Sequence, residues 1–247
     1  MPTISAFALL FFFLSAPSTV LLTVPEARAG AEWDNETEAG LVLANGNSHS
    51  ETYSAKSKTE YSTGPETYSL SGNFLSAKAK DVKSAESWLV QLRYEHAYTD
   101  HLSGFLSQGV EGDRFAGILQ RYNSDIGAKY YFYAIEGDVT WFGEFGYRFT
   151  REHRTTEAWE SLHKARLYTE FEKYWSEAVS SKLWVEYIPT LTRFRNWLLN
   201  TELSLSSELS TVLSIKSAIL LRYNNTPALA TTQKSDTTFT TALVAKF

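Results

Sequence analysis

The sequence predicts an all-β chain: a transmembrane, up-and-down antiparallel β-barrel of about twelve strands, preceded by a cleaved signal peptide. Three observations predict it. The N-terminus reads as an export leader, nearly everything after it alternates apolar and polar residues with period two, and aromatic residues gather at the ends of the alternating runs.

The leader is residues 1–29. An apolar run from Ala6 to Leu14 is followed by Pro17 and then by Ala27-Arg28-Ala29 before Gly30. That order supplies an apolar core, a helix breaker and small residues at the cleavage site. No Lys or Arg precedes the core, so only the amino terminus carries positive charge there. Residues 30–247 then form one domain. Within it no apolar stretch approaches the roughly 20 residues of a membrane helix. Cysteine is absent, so an exported domain of this size depends on a large core, a ligand or full closure of a sheet rather than on disulfides. The net charge of −5 gives no reason to expect a nucleic-acid partner.

Strands are expected near 33–43, 49–61, 67–79, 88–98, 102–111, 119–132, 139–150, 165–175, 179–188, 194–206, 211–223 and 237–247. The count falls to ten if two weaker runs are misread, and the pattern is least secure around Arg114–Leu119. In the run Trp141–Phe149, Trp141, Phe145, Tyr147 and Phe149 share one face, and Glu144, Gly146 and Arg148 the other. Alternate connections read as short turns, at 63–65, 99–101, 134–138, 176–178 and 206–210. The intervening ones, 80–87, 151–164, 189–193 and 224–236, read as longer loops. Short turns on one side and longer loops on the other is the habit of outer-membrane barrels, with the short side and both termini periplasmic.

Aromatics at strand ends separate a lipid-facing barrel from a soluble one. Trp33, Tyr61, Tyr68, Trp88, Tyr98, Phe132, Trp141, Phe149, Trp175, Tyr187, Trp197, Tyr223 and Phe247 stand where headgroups would lie. The opposite face carries Arg93, Glu95, Glu144, Arg148, Arg166, Glu170, Glu172, Lys182 and Glu186, too many charges for a dry core. These nine are expected to line the lumen. The last strand ends on Phe247, with Phe239, Leu243, Ala245 and Phe247 on its outward parity, the form of a barrel-assembly signal. The expected partners are outer-membrane lipid and lipopolysaccharide, with the barrel assembly machinery during biogenesis.

Several motifs then align with a known family. Asn45-Gly46-Asn47-Ser48 follows Glu38–Leu43, and Arg114-Phe115-Ala116-Gly117-Ile118 precedes Arg121-Tyr122 and Gly127–Tyr131. Gly143–Arg148, Asn225-Thr226-Pro227, Ser235-Asp236 and Phe247 complete the order. Across nearly the whole mature chain this resembles the salt-induced outer-membrane proteins, a domain-of-unknown-function family. Ser48 stands where that family's first hairpin leads one to expect Thr. The resemblance implies place and fold, and brings no catalytic residue.

Chemistry is sparse. His96 has outward parity near the periplasmic end and Ser103 lies across the turn, so an outward Ser–His pair with an acid would suit a lipid hydrolase. No nucleophile motif or placed carboxylate supports it. His49, His101, His153 and His163 lack metal-ligand spacing, and no cofactor motif is evident. Arg151, Arg154, Lys164 and Arg166, in or beside the expected loop 151–164, have the chemistry to clamp lipopolysaccharide phosphates, although Glu152, Glu157 and Glu160 dilute the charge. Three readings of function stay open: a structural or stress-linked envelope barrel without turnover, a narrow passive channel for small polar solutes or ions, and a lipid-modifying enzyme.

Overall fold

Strict alternation in this sequence gives each strand one apolar and one polar face, and a sheet of such strands has no stable flat form in lipid. In a computed structural model, which describes residues 31–44, 50–79, 82–135, 137–155, 157–227 and 233–246, the sheet closes. Twelve strands follow in order: β1 (Glu32–Ala44), β2 (Ser50–Thr63), β3 (Glu66–Ala79), β4 (Val82–Ala97), β5 (Leu102–Asp113), β6 (Ile118–Ile135), β7 (Val139–Arg154), β8 (Glu157–Ser176), β9 (Val179–Pro189), β10 (Trp197–Glu208), β11 (Leu213–Asn224) and β12 (Ser235–Lys246). Each pairs antiparallel with its neighbours in sequence, and β1 pairs with β12 to complete the barrel. The expected leader and Phe247 lie outside the described residues.

Closure answers a physical requirement, because a sheet edge in hydrocarbon leaves backbone N–H and C=O groups without water to satisfy them. The seam is the shortest ladder. It runs over five register pairs, from Glu36↔Lys246 to Gly40↔Ala242, whereas β1 and β2 share thirteen, from Glu32↔Ser62 to Ala44↔Ser50, among the described residues.

The apolar faces point outward and stay exposed. Leu70 stands beside Leu92, Leu106 beside Ile126, and Phe145 beside Leu167. Leu183, Leu203, Ile219 and Phe239 continue the row across four successive strands. Phe145 is 66% exposed, although it lies in the middle of its strand. A contiguous apolar belt of this extent is foreign to a soluble monomer and is the lipid face of a transmembrane barrel.

Aromatic rings edge the belt. At the end holding both described termini, Trp33 meets Tyr61 at 4.8 Å between ring centroids, and Tyr68 meets Tyr94 at 5.3 Å. At the other end Trp197 lies 5.8 Å from Tyr187 and 4.9 Å from Tyr223.

Two of the expected long loops are not loops. The ladder of β7 and β8 continues through Arg151↔Ser161 and Glu152↔Glu160, so only 155–156 separate the strands. Likewise β3 and β4 pair out to Ala79↔Val82. In the β7–β8 segment Glu152 and Arg154 are inward-facing residues of overlong strands, held in an ion pair, whereas Lys83 and Glu86 of β4 pair on the outer face. The β5–β6 connection, least secure in the sequence, is the tight turn Arg114–Gly117, with Gly117 at φ 72°. Asp113 accepts backbone N–H bonds from Phe115 and Ala116 and holds the turn.

Inside the barrel Gly127 of β6 faces Gly146 of β7. The Phe105 ring lies against this glycine pair and is 2% exposed, with the Arg93 guanidinium 4.0 Å from the ring centroid. A Cβ on Gly127 would meet Phe145 O at 2.6 Å and Phe105 Cζ at 2.7 Å, both rigidly held. Gly127→Val is therefore expected to lower unfolding free energy by about 1–3 kcal/mol. Gly72→Ala, where the nearest neighbour is Leu89 O at 3.6 Å, should leave it nearly unchanged. Urea unfolding of the refolded barrel, followed by the difference in migration between boiled and unboiled samples, measures both.

Candidate functional site

The polar faces of β4–β9 meet inside the barrel, and their charges alternate in sign from one side chain to the next. Arg93 bonds Glu95 at 2.8 Å and Glu144 at 2.8 Å. Glu144 takes Arg166 at 2.5 Å on its other oxygen, and Arg166 reaches Glu186 at 2.6 Å. Glu186 lies 3.5 Å from Arg148, which grips Asp125 with two bonds of 2.7 and 2.8 Å. Lys129 joins the start of this chain through Glu95 at 3.4 Å. A two-pronged guanidinium–carboxylate pair is among the strongest polar contacts available to a protein.

Which side of the wall these groups occupy follows from topology. Arg93 is on β4 and Glu144 on β7, with two strands between them, so their contact spans the interior. Lys56 of β2 and Glu202 of β10 meet at 3.2 Å across three intervening strands. Arg222 of β11 lies 3.5 Å from Asp113 of β5, strands on opposite sides of a twelve-strand ring. The barrel is narrow enough for facing walls to touch at the end away from the termini.

A second group sits closer to that end. Arg121 bonds Glu152 at 2.7 Å and Glu111 at 2.9 Å, and Arg154 closes on Glu152 at 2.6 Å. Glu152 is fully buried. Lys164 is buried near them and forms no ion pair among the described residues. Toward the termini, Lys182 lies 3.4 Å from both Glu170 and Glu172. There Lys182, Lys216 and Lys246 with Glu36 and Glu172 border a small polar pocket.

All nine residues singled out by parity, Arg93, Glu95, Glu144, Arg148, Arg166, Glu170, Glu172, Lys182 and Glu186, thus stand in ion pairs on the face away from the apolar belt. Parity in the flanking strands also marks residues that the sequence reading passed over. Arg121, Asp125 and Lys129 fall on the polar face of β6, and Glu38, Lys56, Glu202 and Lys216 make a separate quartet between β1, β2, β10 and β11. Of the terminal-strand residues, Phe239 and Leu243 are exposed on the lipid face and Ala245 shares their parity, while Phe247 is outside the described residues.

Two candidate sites do not assemble. Ser103 pairs with Ala97 and is buried on the inner face, whereas His96 pairs with Gly104 and points outward, so no Ser–His pair forms. One residue of register decides this, since neighbours along a strand face opposite ways. His96 Nδ1 instead lies 2.8 Å from Glu66. The four-cation phosphate clamp is also dispersed: Arg154, Lys164 and Arg166 turn inward, and only Arg151 faces out.

Three comparisons bear on this architecture. A family model described as "Protein of unknown function, DUF481" matches residues 37–247. No curated protein matches the chain. Among solved structures, a NanC porin superposes with a TM-score of 0.52 at 10% identity, covering 87% of this chain and 98% of the porin. A KdgM porin, seen in complex with disordered oligogalacturonate, gives a TM-score of 0.49 at 9% identity over 87% of this chain and 99% of its own. The translocator domain of the autotransporter NalP from Neisseria meningitidis gives 0.49 at 12% identity over 91% of each chain. The NanC likeness is one of fold.

Glu144 is the joint of the interior chain, so truncating it leaves the part-buried Arg93 with Glu95 and the buried Arg166 with Glu186 as their remaining carboxylate partners. Glu144→Ala is expected to cost about 1–3 kcal/mol of stability. Glu172→Ala, whose Lys182 partner keeps Glu170 and is about one third exposed, should cost less than about 1 kcal/mol. Comparison of their urea midpoints tests the ranking.

Proposed function

We propose that this chain, which belongs to the DUF481 family of proteins of unknown function, is a non-catalytic envelope barrel of the Gram-negative outer membrane, closed inside by its own ion pairs. The observation that carries this reading is the set of contacts between distant strands, Arg93–Glu144, Lys56–Glu202 and Arg222–Asp113. A pore evolved for flux keeps its facing walls apart and lines them with one sign of charge or a graded field. Here opposite charges bridge the walls, and the bridges brace the sheet against flattening. The resemblance to salt-induced outer-membrane proteins fits a stress-linked structural role. In this reading the nine charged residues line and fill the lumen, residues 1–29 direct export, and the outward residues Phe239, Leu243 and Ala245, followed in the sequence by Phe247, present the last strand to the assembly machinery.

A second reading, a narrow passive channel for small ions, is favoured by one observation. The end near the termini keeps a polar pocket lined by the partly exposed Lys182 with Glu36, Glu172 and Lys246, which gives small ions an entrance on that side.

Planar-bilayer recording of the refolded barrel separates the two. The closed reading expects a silent wild-type protein, and expects steps to appear when Lys56→Ala, Arg93→Ala and Arg222→Ala are combined, which removes all three contacts between distant strands. Reproducible ion-selective steps from the wild type would sink the closed reading and establish the channel.

A further inference from the structure

The outer face of the β6–β8 wall carries a cation that no carboxylate among the described residues answers. Arg151 faces outward and is exposed, and makes no ion pair among the described residues. Its guanidinium lies 5.3 Å from the centre of the Trp159 ring. Trp159 in turn stacks on His153 at 5.2 Å and 22°, and on Tyr122 at 5.9 Å and 25°. Gln120 donates to the Tyr122 hydroxyl at 2.7 Å and steadies that ring. The result is a rigid rack of three near-parallel rings holding one charge at the barrel's outer surface.

Its height can be reckoned along β8. Trp159 and Phe171 lie on that one strand, Phe171 beside Trp141 in the aromatic edge near the termini, and twelve positions separate them. At about 3.3 Å per residue and a tilt of about 40°, that is roughly 30 Å along the membrane normal. The apolar band of such a barrel is about 25 Å tall. Arg151 and its rack therefore stand just above the hydrocarbon, at the headgroups of the leaflet away from the termini. In the outer membrane that leaflet presents phosphorylated saccharide headgroups.

We propose that Arg151, held by Trp159, His153 and Tyr122, is a binding site for a phosphate of the lipopolysaccharide headgroup. The proposal rests on the outer-membrane placement above and is independent of whether the lumen conducts. Charge complementarity carries it. Arg154 and Arg166, three and fifteen residues further along the chain, turn inward and are matched by Glu152, Glu144 and Glu186, while Arg151 alone of this group faces outward with an aromatic backing and no carboxylate partner among the described residues. A planar guanidinium offers two parallel N–H donors to phosphate oxygens, and the ring beneath it restricts its motion and excludes water from one side. His153 lies within the same rack as a further donor.

The test uses the full mature barrel refolded in detergent, titrated with purified lipopolysaccharide, with the same material dephosphorylated, and with phosphatidylglycerol. The readout is the temperature at which unboiled migration is lost. Native lipopolysaccharide is expected to raise that temperature, and the other two are not. Arg151→Ala should weaken the effect about tenfold, the loss of one charge-assisted hydrogen-bonded contact, and Trp159→Ala should weaken it partly by freeing the guanidinium. Lys83→Ala, which removes an exposed cation already paired with Glu86, should leave it intact. Equal protection by phosphatidylglycerol or by the dephosphorylated form, or unchanged protection in Arg151→Ala, overturns the site. A chain with no difference between boiled and unboiled migration overturns the barrel placement as well, and that result is distinct from a folded barrel indifferent to lipopolysaccharide.

Discussion

The constraint on which the structure depends is that no backbone N–H or C=O can be left open in hydrocarbon. A single ladder circling back on itself meets that constraint with strands alone, and β1 pairing with β12 is where it is met. The rest follows. An antiparallel circuit needs an even number of strands, so both described termini lie at one end. The period-two backbone then turns every second side chain toward lipid and every other one inward. The sequence's apolar residues are consequently on its surface, as Leu92, Ile126 and Phe145 are, and its carboxylates are inside, as Glu144 and Glu152 are.

An interior furnished this way has two physical options. Charges of one sign repel, hold the walls apart and invite water and counter-ions. Charges that alternate attract, and draw the walls together until the side chains touch. The run from Glu95 through Arg93, Glu144, Arg166, Glu186 and Arg148 to Asp125 takes the second course. Its members come from β4, β6, β7, β8 and β9, so the chain stitches half the circumference into one body. The glycine pair at 127 and 146 leaves space for Phe105, on which Arg93 rests.

Much of this was legible in the sequence because side-chain parity is a local property. Arg148 and Glu186 declare their face by their neighbours Phe149 and Tyr187, whatever the distant strands do. The strand ends were less legible. Residues Arg151–Lys164 carry the charge density of a loop, and only the partners Glu152 finds in Arg121 and Arg154 reveal them as wall. The Ser103–His96 pair failed for a related reason. Proximity across a turn is visible in sequence, but which face each residue takes depends on where the turn begins, and here it runs 98–101. Contacts between strands far apart in the chain, such as Arg222 with Asp113, leave no trace in either segment alone.

The unequal ladders give the barrel a grain. Thirteen rungs hold β1 to β2 and five hold it to β12 among the described residues, and beside the lower end of those five stands the half-exposed pair Glu36–Lys246 at 3.8 Å. A load applied to the C-terminal strand is borne first by those five rungs, and once they part the cylinder becomes a ribbon with two bare edges. The short seam is therefore where the cylinder is expected to open under load, with β12 exposed as a new edge while its ladder to β11 still holds. Run backward, the same grain describes insertion: a sheet that grows by hairpins and is converted from ribbon to tube by its weakest line of contact.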